Sequence, residues 1–142
     1  MYSTGTNGFL NASSPQFYRP NGVNRISYYH AYQFTVSTSG MYRFSTNSSI
    51  DTYGLLYDGE MDPSNPSDSL LAYNDDGGEG YGLQFKITAN LEAGSIYVIV
   101  VTTHGAMITG QFRIVASGPV LLTLNSFLPV TSQPIFTSSE SF

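Results

Sequence analysis

The sequence predicts an all-β fold, an antiparallel jelly-roll-like β-sandwich with extended N- and C-terminal segments. Three observations predict it. Helical periodicity is nearly absent. Short runs rich in β-branched and aromatic residues alternate apolar with polar positions. Gly, Pro, Asn, Asp and Ser split those runs at about the 8–12-residue spacing of a sandwich.

Taken in order, residues 1–27 are an extended N-terminal segment, irregular around "FLNASSPQFYRP". "YYHAYQFTV" then alternates Tyr32, Phe34 and Val36 against Gln33 and Thr35. "STSG" (37–40) turns the chain into "MYRFST", with Tyr42 and Phe44 on one side, and the pair reads as a β-hairpin. "DTYGLLYDG" is a strand with Leu55 and Tyr57 on one face. "EMDPSNPSDS" (60–69) is a loop, because its two prolines cannot sit in a central strand. "LLAY", "GLQFKITANL", "SIYVIVVTT" and "QFRIVAS" complete the set; the third is apolar on both faces and reads as a central strand. The alternation places Phe34, Val36, Tyr42, Phe44, Leu55, Phe85, Ile87, Ile99, Val101, Phe112 and Ile114 in the core.

With 142 residues, 11 Tyr and 9 Phe, the chain is one domain with a substantial core. Only 11% of residues are charged, against about 25% in ordinary domains. A net charge of −5 without a basic cluster excludes nucleic acid and anionic membranes as partners. No apolar run approaches the ~18 residues of a membrane span, and "MYSTGTNGF" does not read as a signal peptide. The Ser/Thr/Asn/Tyr-rich, Lys-poor surface has an extracellular or cell-surface character. Two sequons, at Asn11 and Asn47, are glycan acceptors if the chain travels a eukaryotic secretory route, although Ser/Thr-rich chains also produce sequons by chance.

Eight of the ten acids lie between Asp51 and Glu79. In "LAYNDDGGEGYG" (70–81), Asn74, Asp75, Asp76 and Glu79 offer oxygens of the kind Ca²⁺ takes, with glycines that let carbonyls turn inward. The same residues suit a solvated turn with Asx hydrogen bonds, and that reading stays beside the Ca²⁺ one. Asp75 and Asp76 are adjacent and point apart on an extended strand, so they are no glycosidase pair. His30 and His104, the two histidines, lack a G-x-S-x-G partner and are too few for zinc; both read as structural or surface residues. The tyrosines Tyr28, Tyr29, Tyr32, Tyr53, Tyr57, Tyr73, Tyr81 and Tyr97 form either a sugar-stacking face or ordinary strand packing.

The stretches "YQFTVSTSGMYRFST", "SIDTYGLLYD", "LLAYNDDGGEG", "ANLEAGSIYVIVVTT" and "TGQFRIVAS" stand in an order that resembles the bacterial pre-peptidase C-terminal domain family over residues 28–118. The resemblance implies a jelly-roll-like sandwich. It also implies a non-catalytic accessory or adhesive role, sometimes linked to Ca²⁺, sometimes with a glycan or fibrous ligand.

Residues 119–142 follow that region. Val120, Leu122 and Leu124 read as another strand, and Phe127, Leu128, Val130, Ile135 and Phe136 continue apolar through Pro129 and Pro134. A flexible linker does not carry so much apolar surface. These residues therefore either cap their own sandwich or lie on a neighbouring copy, as donated strands do. The sequence-level expectation is a non-enzymatic extracellular structural or adhesive subunit that self-associates through its terminal strand segments, N- or C-terminal, into a fibre or surface array, its partners being copies of itself. The alternative is an accessory module that binds glycan or fibrous matrix protein with Ca²⁺.

Overall fold

A computed structural model describes residues 1–20, 26–75 and 84–129. Two antiparallel sheets face one another. The four-stranded sheet runs in the order β1 (Tyr2–Leu10), β10 (Gly110–Gly118), β5 (Gly40–Ser48), β8 (Lys86–Leu91). The five-stranded sheet runs β11 (Asn125–Phe127), β4 (His30–Thr35), β9 (Ile96–Thr103), β6 (Thr52–Asp58), β7 (Leu70–Asn74). A short ribbon pairs β2 (Gln16–Tyr18) with β3 (Ile26–Tyr28). The all-β sandwich expected from the sequence is the observed fold, and β9 is its central strand.

The main core lies between the sheets. Tyr42, Phe44, Phe85, Ile99, Val101 and Ile114 are all fully buried there. All eleven core positions named from alternation are buried. A second apolar cluster covers the outer face of the five-stranded sheet, where Val98, Val100, Leu55 and Tyr57 lie under Phe17 from the ribbon and Met61 from the 60–69 loop. Its inner strands β6 and β9 are buried on both faces, so β9 reads as an unbroken apolar run.

Three expectations are corrected. The hairpin read across residues 32–46 does not form, because β4 and β5 belong to opposite sheets. The connection is an arch that docks on the turn between β8 and β9. Val36 N–H donates to Ser95 O (3.3 Å), Gly94 N–H to Val36 O (2.8 Å), and Tyr42 Oη–H to Thr38 O (2.6 Å). Gly94 supplies the left-handed conformation (φ 89°) this turn requires. The N-terminal segment is not irregular at its start: β1 is a nine-residue edge strand in register with β10 from Tyr2↔Gly118 to Leu10↔Gly110. It carries little apolar pattern because its neighbours supply the bulk. A Cβ on Gly8 would meet Phe112 Cζ and Tyr32 Oη at 2.5 Å. Finally, residues 120–124 alternate as expected but join no ladder; the strand begins at Asn125. Val120, Leu122 and Leu124 point inward and pack on the main core, Leu122 being 5% exposed. This stretch closes the open side of the sandwich near β1.

Candidate functional site

Two places gather chemistry. The first is at the end of the five-stranded sheet where β6, β7 and β9 meet. Thr52 pairs with Thr103, and Gly54 with Asn74, so the residues just beyond these strand ends share one corner. Asp51, Asp75 and His104 converge there, with ligand-type atoms all within 4.8 Å of one another. His104 Nδ1 lies 2.8 Å from Asp75 Oδ2, and His104 N–H donates to Asp51 O (3.0 Å). Asp75 Oδ1 is buried and has no hydrogen-bond partner among the described residues. Arg19, buried with its guanidinium 3.9 Å over the Tyr53 ring, donates to the His104 carbonyl (3.2 Å) and steadies the turn. Two carboxylates and an imidazole suit a divalent cation of the Zn²⁺ kind better than Ca²⁺, which takes oxygen ligands. The same atoms also satisfy one another as a carboxylate–imidazole pair.

Of the four residues expected to bind Ca²⁺, Asp75 lies in this corner, while Asp76 and Glu79 lie outside the described residues. Asn74 braces the two sheets instead, its Oδ1 accepting Lys86 N–H (3.0 Å). Sequence reasoning missed Asp51 and His104 as Asp75's companions. The signal was present in D-T-Y opening one strand and T-H-G closing another, but only the pairing of those strands joins them.

The second place is a groove at the edge of the same sheet. Here β11 pairs with β4 at the edge of the five-stranded sheet, β2 pairs with β3 in the separate ribbon, and Tyr29 joins β3 to His30 at the start of β4. The gap is about 440 Å³ and mainly apolar, floored by Tyr29, His30 and Ala31, with Phe9 and Pro15 on one wall and Phe127 and Leu128 on the other. His30 links the walls. Its Nε2 lies 2.7 Å from Ser126 Oγ, its ring hydrogen-bonds the Phe9 backbone, and it stacks on Tyr32 with centroids 4.5 Å apart. Burial pushes its pKa below the ordinary value of 6.5, and the bond to Phe9 opposes that.

The other predicted residues spread out. Tyr28, Tyr29, Tyr32, Tyr53, Tyr57 and Tyr97 are buried, Tyr73 is half exposed and stacks on Tyr53 (6.1 Å), and Tyr81 lies outside the described residues. Among the described residues they build core, not a flat sugar-stacking face. Burial raises the Tyr29 hydroxyl to about 12. Asn11 and Asn47 are exposed. Phe127 is half buried and Leu128 exposed, while Val130, Ile135 and Phe136 fall outside the described residues.

No family model matches this chain, and no curated protein matches it in sequence. A solved structure does: the pre-peptidase C-terminal domain of a collagenase from Bacillus anthracis, at TM-score 0.53 and 14% identity, over 81% of this chain and 89% of that one. This chain has the pre-peptidase C-terminal domain fold. At that identity the likeness concerns the fold alone. Among the described residues no helix is long and apolar enough to cross a membrane.

Proposed function

We propose that this chain is a non-enzymatic, extracellular structural or adhesive subunit that self-associates through its C-terminal segment. One observation carries the reading. Residues 120–127 close the chain's own sandwich, yet apolar sequence continues beyond it with Val130, Ile135, Phe136 and Phe142. Phe9 and Leu128, exposed at 55% and 71%, line one groove. Surface of this kind marks an interaction site. The low charge density suits close packing of copies, since little charge must be desolvated. Sedimentation velocity and negative-stain microscopy of residues 1–142 and 1–129 test it. The full chain assembles and 1–129 stays monomeric. A full chain that is monomeric up to about 1 mM, where binding is worth only ~4 kcal/mol, overturns the reading.

A second reading has its own support. On the outer face of the four-stranded sheet, Asn7, Asn47, Gln111 and Arg113 line a polar depression of about 700 Å³ with Phe9 at its rim. Amide and guanidinium donors beside an aromatic edge suit a glycan. A glycan array on wild type and Arg113→Ala tests it, with lost binding in the variant as the expected result. Ca²⁺ enters either reading only as a structural ion on the Asp51 and Asp75 carboxylates, since the His104 imidazole beside them is not a Ca²⁺ ligand. Melting in Ca²⁺ against EGTA reads it out, since about 100 Kd of ligand adds ~2.7 kcal/mol to the native state.

A further inference from the structure

We propose that the groove floored by Tyr29 and His30 receives the 130–142 segment of a second copy, with Ile135 and Phe136 as anchors. This rests on the self-association reading above and names the receptor that reading requires.

The edge geometry excludes the chain's own strand continuation. β11 runs antiparallel to β4 with Phe127 opposite Ala31. Continuing that register sets residue 128 opposite His30 and residue 129 opposite Tyr29. Tyr29 N–H is already bonded to Pro15 O (2.9 Å), and the next residue, Tyr28, is paired with Gln16 of β2. Pro129 has no N–H to add to a ladder. The chain's own strand therefore runs out of edge within two residues, at the groove rim.

Length and chemistry favour a neighbour as occupant. Thirteen residues follow Pro129. Extended, they reach about 43 Å at ~3.3 Å per residue, well beyond the ~15 Å radius of gyration expected for a chain this size. Between residues 130 and 142 the segment carries one charged side chain, Glu140, and its adjacent apolar pair follows Pro134. Pro134 interrupts any ladder, so seating comes from side chains entering a pocket, which is what an apolar groove with a polar group on its floor offers. A contact of one molecule's tail with another's groove is heterologous. It closes if the exchange is reciprocal and propagates if it is not.

The test uses the full chain. Phe9→Ser with Leu128→Ser alters the groove, and Ile135→Ser with Phe136→Ser alters the segment. Phe9 and Leu128 are exposed, so the groove pair keeps its fold, checked by an unchanged melting temperature. In sedimentation velocity each pair weakens association about tenfold or more. An equimolar mixture of the two regains a heterodimer, because one partner keeps an intact segment and the other an intact groove. If the groove pair assembles like wild type while the segment pair does not, the segment binds elsewhere and this proposal fails, with self-association standing. If the segment pair assembles like wild type, the segment is not the ligand and the proposal fails. If wild type itself never associates, the parent reading fails first.

Discussion

His30 shows how one side chain links groove to sandwich. Its neutral ring is the form that burial against Tyr32 and Phe112 favours. The sign of the pH effect follows from that. A histidine whose folded pKa is lowered binds protons more readily when unfolded, so its contribution is complete above about pH 6.5 and is lost as pH falls through the lowered folded value. Melting temperature from pH 7.5 to 5.5 should therefore fall more steeply in wild type than in His30→Gln; parallel slopes would rule out the buried neutral ring. Thr52 makes a second residue-scale prediction. Its Oγ1 accepts Phe85 N–H (3.2 Å) and shares a hydrogen bond with Thr46 Oγ1 (2.6 Å), bridging the sheets in the buried core. Thr52→Val keeps the shape but leaves the buried Phe85 N–H without its acceptor and Thr46 Oγ1 without its hydroxyl partner, at about 1–3 kcal/mol each. Thr52→Ser keeps the oxygen and should lose clearly less in urea unfolding. Equal losses would assign the site to packing instead.

At the scale of elements, the 60–69 loop acts as a cover on the five-stranded sheet. Asp58 N–H donates to Ser69 O (2.9 Å) at its base, Met61 is buried beneath it, and Tyr57 Oη–H donates to Pro66 O (2.6 Å). Tyr57→Phe should cost about 1 kcal/mol and open the loop to limited proteolysis between residues 60 and 69. Unchanged cleavage would mean the backbone bonds alone hold it. This loop was legible because its prolines bar it from a sheet. The faces of β4, β5 and β10 were legible for a related reason: alternation states which side of a strand is apolar, whereas β6 and β9 are buried on both sides and Leu55 lies in the outer cluster. Alternation does not state which strand lies alongside. Tyr32–Val36 and Tyr42–Thr46 fit a hairpin as well as they fit an arch, and the choice falls to their distant partners, β9 and β10. The same limit hid the acidic corner, since Asp51 and His104 are neighbours only through the pairing of β6 with β9. β1 was hidden because an edge strand whose glycines leave room for Phe112 and Arg113 shows almost no apolar pattern of its own.

For the whole molecule, the question is where the sandwich ends and the associating segment begins. β1 pairs with β10 across more than a hundred residues of chain, and residues 119–127 then cross from β10 to the edge of β4. Along that crossing Leu122 is nearly fully buried, and Val120 and Leu124 pack beside it. Two truncations separate the two roles. Ending at Gly118 removes these three side chains and β11 and exposes the core beside β1. At ~1.5–3 kcal/mol for a fully buried side chain and less for the half-buried pair, the loss should be about 3–5 kcal/mol, or roughly 10–15 °C in melting temperature. Ending at Pro129 removes only residues beyond the anchored strand, so melting should shift by less than about 2 °C while association is lost. An equal loss of stability in both would place residues 130–142 in the chain's own core. An unaffected 1–118 protein would show that the crossing segment contributes nothing to closure, and the division at Pro129 would have no physical basis.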